Sequence, residues 1–383
     1  MTDKPRTRER LTAEAQNACV VHETSGCNGA AADHATPMLI SVVIPNYNYG
    51  DFIADAIDSA LNLDWPRVEV IVVDDGSTDD SADIIRGYGE RITSLFQSNA
   101  GQRVACNAGF ERASGEVVIF LDSDDTLSPS LVRELAMVWH PGVSKVQFQM
   151  QVVDAAGKGT GSVLPQYTIV PQPEEIRRWV LTTGTYPTPP GSGNAYARAF
   201  LARIFPLLGR DPSCDAYCVA AAPFLGDVVT VAKPLVSYRV HGRNDGAMSQ
   251  LASDRFGRDL ARACWRFEYA QTIARTVGLD LPSAALHKSL QLLPYRLASL
   301  CLLPERHPIE RDSTLRVLVD LARAVFIPQG VGLTARLAIA VWGGLVAIAP
   351  KRVRTRLVLW RFASASRPEL LRRALKALSV VQR

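Results

Sequence analysis

Two short stretches put more negative charge at the end of an apolar run than a buried strand tolerates alone. In "VVIFLDSDD" five apolar residues from Val117 run into Asp122, Asp124 and Asp125; in "VIVVDDGSTDD" a similar run ends at Asp74 and Asp75. Clustered carboxylates repel one another, and a divalent cation relieves that repulsion. Hard oxygen ligands suit Mg²⁺ or Mn²⁺, and an ion held by one or two carboxylates completes its shell with substrate phosphates. The chemistry indicated is that of a metal–diphosphate, as in a nucleotide-linked substrate. Taken singly, Asp75–Gly76–Ser77 reads equally well as a turn and Asp125–Thr126 as a helix start.

A third stretch, "DPSCDAYCVAAAPF", offers Asp211 as a helix cap, Pro212 in the first turn and Asp215 one turn in. Behind it, "YRVH" supplies Tyr238, Arg239 and His241. A lone histidine is more often structural than a ligand, so His241 enters as a candidate only.

Elements must bring these groups together. Apolar runs at Ile40–Ile44, Val68–Val73, Ile92–Phe96, Val117–Leu121 and Val146–Val152 read as strands. Between them, "DFIADAIDSALNL", "AGQRVACNAGFERA" and "SPSLVRELAMVW" read as helices, and Ser77 with Asp80 resembles a capping box for another. Such alternation predicts an α/β fold with a mixed, mostly parallel central sheet covered by helices on both faces. In such sheets ligands bind at the carboxyl ends of strands, which is where both acidic clusters stand. Residues 155–200 are Pro/Gly-rich and read as long loops over that scaffold, and "VVTVAKPLVSYRVH" as one or two further strands.

The domain expectation is a disordered leader over residues 1–37, an α/β domain over 38–250 and a helical C-terminal region over 251–383. The 383 residues, 47% hydrophobic and 21% charged, suffice for a large core. The net charge of +4 is unevenly spread: from Lys351 onward there are ten Lys/Arg against Glu369 alone. A body-wide nucleic-acid surface is therefore not expected. "LAIAVWGGLVAIAP" is only fourteen residues long, short of the roughly 20 that span a bilayer. "SRPELLRRALKALSVV" forms a basic amphipathic helix, read either as packing on the core or as peripheral membrane contact. Seven scattered cysteines and an N-terminus without an apolar core predict reduced thiols and a cytoplasmic location.

The order "SVVIPNYNYGDFIADAIDSAL", "VEVIVVDDGSTDDS", "NAGQRVACNAGFERASGEVVIFLDSDD" resembles the nucleotide-binding half of a family 2 glycosyltransferase of GT-A fold. The resemblance implies inverting transfer of a sugar from a nucleotide-sugar, such as a UDP-sugar, with a divalent metal (Mn²⁺ or Mg²⁺). A glycan or lipid-linked sugar is the implied acceptor. Carried onto this chain, it places Pro45 and Tyr47 by the base and ribose and Asp75 on the base or ribose. Gly101 and Asn107 would shape the nucleotide pocket. In "LDSDD", Asp122 with Ser123 beside it would face the ribose or metal, and Asp124 would coordinate the metal, with His241 as a further metal or diphosphate contact. Many relatives carry Arg where this chain has Cys106, which leaves Arg103 as a substitute charge. Asp215 is the implied general base, although Cys214 stands where the family often has a first acid. A degenerate sugar-nucleotide scaffold, or a Rossmann-like methyltransferase or nucleotidyltransferase, stays open as an alternative. The methyltransferase version is disfavoured because "IPNYNYG" is no G-x-G loop.

Overall fold

The structure, a computed structural model, describes residues 36–167, 169–244 and 254–362. The expected leader falls almost wholly outside these residues, and the basic amphipathic helix after Ser366 falls wholly outside them.

Among the described residues the chain opens with β1 (Ile40–Asn46), α1 (Gly50–Leu61), β2 (Val68–Asp74), α2 (Ser81–Gly87), β3 (Thr93–Phe96), α3 (Gln102–Arg112) and β4 (Val117–Phe120). It continues through β5 (Thr126–Leu127), α4 (Leu131–Ala136), β6 (Val143–Val153), β7 (Gly159–Leu164), α5 (Pro173–Thr183) and β8 (Asn194–Ala197). α6 (Arg198–Leu201), α7 (Asp215–Leu225) and β9 (Asp227–Arg239) complete the α/β part. Helices α8 (Arg255–Thr276), α9 (Leu293–Leu302), α10 (Thr314–Ala324), α11 (Leu333–Ile348) and α12 (Lys351–Phe362) follow.

One mixed sheet runs in the order β3-β2-β1-β4-β8-β6-β9-β5, with β7 on β6. Strands β3, β2, β1 and β4 are parallel, β6 pairs β9 in parallel, and β8 and β5 join antiparallel. This is the mixed, mostly parallel α/β architecture that the strand–helix alternation predicts. The continuous apolar strands have a physical reason, since side chains alternate and both faces are covered. Val42, Ile44, Val117 and Ile119 pack on one side with Ile53, Ile57 and Leu131 of α1 and α4. Val43, Val118 and Phe120 pack on the other with Ala105, Trp179, Tyr217 and Phe267. A third core, around Phe256, Leu293, Leu297, Leu321 and Val346, holds the C-terminal helices together. Helix α8 belongs to two of these cores, with Phe256 in the third and Phe267 against the sheet.

Three local expectations change. The stretch read as loops contains β7, α5 and β8, because Trp179 and Val180 of α5 bury an amphipathic face. α2 begins at Ser81 with Asp80 at its cap; Ser77 instead donates its hydroxyl to Asp74 Oδ1, 2.5 Å away. α7 begins at Asp215 with Cys214 at its cap, so Asp211 and Pro212 precede the helix.

Candidate active site

The carboxyl ends of β1, β2 and β4 open into a cavity of about 830 Å³. In-register pairing places Asn46 beside Asp74, and the Asn46 amide donates to Asp74 Oδ1 at 2.9 Å. Asp74 also accepts Ser77 N at 3.0 Å, so it braces the loop after β2 and does not line the cavity. Asp75 lines the cavity, but its buried carboxylate accepts Gln97 Nε2 (2.6 Å), Ala100 N (2.9 Å) and Gly101 N (2.7 Å). Gly101 sits at the start of α3 with φ of +89°, a conformation that a side chain would strain. Asp75 therefore sets the entry to α3.

In the second cluster each acid has different company. Asp122 accepts Gln102 Nε2 at 2.8 Å, and its N–H donates to Ser192 Oγ at 3.0 Å. Burial, then the charges of Asp124 and Asp215, push its carboxyl up to about 7. Ser123 donates to the Pro45 carbonyl at 2.7 Å, tying the strand end to the loop after β1. Asp124 Oδ2 faces His241 Nε2 at 3.0 Å and accepts Asn244 Nδ2 at 2.9 Å. Asp125 turns away and accepts Arg239 N at 3.0 Å; burial, with the charges of Asp122 and Asp124, holds it well above the carboxylate range. The Arg239 guanidinium is buried, donating to the Asp124 carbonyl at 2.9 Å and to Asp55 at 2.7 Å.

His241 stacks on Phe52, centroids 4.7 Å apart, with Tyr49 at its edge. Its Nδ1 accepts Arg243 N–H at 3.1 Å. The network therefore assigns the neutral-ring proton to Nε2, which donates to Asp124. Both ring nitrogens are engaged, so His241 orients Asp124 here and presents no lone pair to the cavity.

Asp215 lines the same cavity, beside Gly191. A Cβ on Gly191 would lie 3.2 Å from Asp122 Oδ2 and 3.8 Å from Asp215 Cγ. Burial pushes the Asp215 carboxyl up, and Asp211 adds to this; Arg266, Arg262 and a Ser213 hydrogen bond pull it back. Asp211 itself is fully buried, accepting Ser213 Oγ at 2.7 Å and Arg262 Nη2 at 3.0 Å.

Of the residues singled out from sequence, Pro45, Tyr47, Asp75, Gly101, Asp122, Ser123, Asp124 and Asp215 line the one cavity. Arg103 and Asn107 do not. Arg103 donates to the Leu207 carbonyl at 2.6 Å, and Asn107 pairs with the Leu207 backbone through both amide atoms (2.8 and 3.2 Å). Their positions on α3 turn them toward the 207 loop, so the substitute charge expected of Arg103 is not delivered.

Other lining residues went unread. Arg255, Asp259, Arg262 and Arg266 all line the cavity from α8. The spacing i, i+4, i+7, i+11 puts them on one helical face; it was the available signal. Lys145, fully buried on β6, donates to Thr188 Oγ1 (2.8 Å) and Asn194 Oδ1 (2.9 Å). Asn194 in turn donates to the Pro190 and Gly191 carbonyls (3.0 and 3.1 Å). A lysine inside "VSKVQFQM" was the sequence clue to this clamp on the Gly191 loop.

Residues 41–205 match the sequence model of Glycosyl transferase family 2. The chain carries a family 2 glycosyltransferase domain. Among curated proteins it is similar to an uncharacterized glycosyltransferase of Nostoc sp., 37% identical over 222 residues, 54% of this chain and 66% of that protein. It is also similar to the uncharacterized glycosyltransferase YibD of Escherichia coli, 40% identical over 99 residues, 25% of this chain and 29% of that protein. TuaG of Bacillus subtilis, provisionally named a teichuronic acid biosynthesis glycosyltransferase, is 46% identical over 91 residues, 23% of this chain and 36% of that protein. The chain thus spans less than two thirds of the length of each of these relatives. Among solved structures, Staphylococcus aureus TarS 1-349 in complex with UDP-GlcNAc aligns with a TM-score of 0.49 at 18% identity, covering 85% of this chain and 92% of that one. The Pyrobaculum calidifontis mannosyltransferase PcManGT in complex with GDP-Man and Mn²⁺ aligns at 0.46 and 22% identity, covering 88% of each.

Proposed function

We propose that the chain transfers a sugar, with inversion, from a nucleotide-sugar donor such as a UDP-sugar to a hydroxyl of a glycan or lipid-linked acceptor. The observation that carries this reading is that Asp215 lines the same cavity as Asp122 and Asp124, with Asp122 and Asp215 both within 4 Å of where a Cβ on Gly191 would lie. Single displacement needs a base on the acceptor side, apart from the group that holds the leaving diphosphate. Asp215 takes the acceptor hydroxyl's proton as its oxygen attacks the anomeric carbon and the nucleoside diphosphate leaves. Pro45 and Tyr47 flank the base and ribose, and Gln102 and Ser192 hold Asp122 in place.

A divalent cation, Mn²⁺ or Mg²⁺, belongs to this reading. Among the described residues no group of three or more His, Cys, Asp or Glu forms a ready metal cage. The donor set nonetheless fits an ion that shares its shell with the donor. Asp122 and Asp124 offer hard oxygens in one cavity, and the Asp122 carboxyl is raised first by burial and then by the charges of Asp124 and Asp215, a repulsion that a cation would relieve. Asp122 and Asp124 would hold the ion, which would supply charge neutralisation for the leaving diphosphate. His241 and Asn244 fix the Asp124 carboxylate and so act as positioning residues.

On this reading the chain works in the cytoplasm, among reduced thiols. Its product is a cell-surface glycan or glycolipid intermediate. A thermal-shift screen of nucleotide-sugars with and without Mn²⁺ tests the proposal. Saturating donor at 100 times its Kd stabilises by about 2.7 kcal/mol, and the shift should need metal and donor together. Stabilisation by donor that ignores Mn²⁺, and that survives Asp124→Ala, would overturn it.

A further inference from the structure

Helix α11 shows solvent a face that surface helices normally keep inside. Leu333, Leu337, Val341, Leu345 and Ile348 are 54%, 47%, 63%, 48% and 81% exposed. At 100° per residue these five positions fall within one arc of about 120°, along roughly 24 Å of helix. The opposite side is also apolar, with Val346 buried and Gly343 placed where a Cβ would meet Leu321 at 2.4 Å. The only charge on α11, Arg336, donates back to the Val325 carbonyl at 2.6 Å. Phe326, just before the helix, is 83% exposed. A helix apolar all round is ordinarily in a protein core or in lipid.

Charge decides among the occupants. Residues 314–362 carry eight Lys/Arg and one acid, Asp320, and Asp320 is tied to Arg296 at 3.0 Å. Directly after Ile348 come Pro350 and the exposed Lys351 and Arg352, with Arg356 exposed a turn later. A second copy would bring the same positive charge to this face. The chain's own residues 363–383 carry five Lys/Arg and one Glu, again the same sign. An anionic bilayer brings the opposite sign together with an apolar interior.

We propose that α11 lies in the plane of an anionic phospholipid surface, its Leu333–Ile348 stripe among the acyl chains and Lys351, Arg352 and Arg356 on the headgroups. It does not cross: α11 has 16 residues, fewer than the ~20 that span a bilayer, and no described helix is long and apolar enough to do so. The inference is independent of the sugar-transfer reading, since lipid binding is measured with no donor present.

The test is co-sedimentation of the full chain with phosphatidylcholine vesicles and with vesicles one third phosphatidylglycerol, at low and high salt. Binding to the anionic vesicles alone, weakened by salt, is expected. Leu337→Glu with Val341→Glu should lower the partition at least about 100-fold, and Lys351→Glu with Arg352→Glu about tenfold or more. Circular dichroism and Tm of each variant should match the parent. No binding to anionic vesicles overturns the proposal, as does binding that both double variants retain. Sedimentation velocity showing a dimer that Val341→Glu dissociates would assign the face to a second copy. Failure of Leu337→Cys to react with a maleimide at that peptide, in the vesicle-free monomer, would assign it to the chain's own residues. Either result also overturns it.

Discussion

Asp122 and Asp215 both stand beside Gly191, where a side-chain Cβ would lie 3.2 Å from Asp122 Oδ2 and 3.8 Å from Asp215 Cγ. The glycine keeps open the space in which a donor's reacting carbon would meet an acceptor. Gly191→Ala should therefore lower kcat/KM by about 10- to 100-fold, the cost of roughly an ångström of displacement. Its Tm should stay near the parent's, because the backbone there is not left-handed. Steady-state kinetics beside calorimetry check this; parental activity would remove Gly191 from the site.

As the proposed base, Asp215 must be ionised. Burial raises its carboxyl, so kcat/KM should rise with pH through a midpoint above the usual carboxylate value near 4. Arg266 opposes the shift, so Arg266→Gln should move that midpoint upward. Asp215→Asn should cost about 10²- to 10⁴-fold in kcat.

The same shift has a stability sign. A carboxyl raised in the folded state binds protons more tightly there than in the unfolded chain, so stability falls as pH rises through the folded value. Asp215→Asn should thus match or exceed the parent in Tm at pH 8 while losing activity. A marked drop in Tm would assign Asp215 a structural role.

Lys145 acts at one remove, through Thr188 and Asn194, on the Gly191 loop. Lys145→Met leaves the buried Asn194 Oδ1 without its donor, at about 1–3 kcal/mol. Denaturant unfolding should show that loss. Among molecules that remain folded, kcat should fall more than donor affinity, because Asp75 and the loop after β1 are untouched.

In the C-terminal helices, fully buried Arg296 meets Asp312 through two bonds (2.8 and 2.9 Å) and Asp320 through one (3.0 Å). Asp312→Asn leaves the buried Arg296 with Asp320 as its remaining charged partner and should destabilise by less than the about 3–5 kcal/mol that a fully unpaired buried charge costs. Arg296 and His307 hold the Asp312 carboxyl well below its ordinary value. The pair's contribution is therefore present above pH 4 and lost as pH falls further. A urea titration at pH 7 against pH 3 measures both.

The sequence announced the acids because charge at the end of an apolar strand is a local pattern, and the parallel sheet carries such ends to one side. It also announced β1, β2 and α1 through their periodicities. What it hid depends on distant partners. Arg103 and Asn107 sit on α3 as expected, but their side chains answer to Leu207, a hundred residues on. His241 reaches Asp124 through Nε2 from more than a hundred residues on, while its Nδ1 accepts the Arg243 N–H. The α8 arginines were visible only as a helical pattern, and nothing local told which wall that helix would face.

Strand β9 enters the sheet parallel to β6, from Val143 with Asp227 to Val153 with Arg239 and with register shifts on the way, whereas the matched family segment stops at residue 205. A fragment cut at that border would keep "LDSDD" but lose Asp215 and the ladder that seals β6. Its bare strand edge would invite pairing between molecules. The border marks common descent rather than a detachable module, and a minimal catalytic piece would have to extend past Arg239.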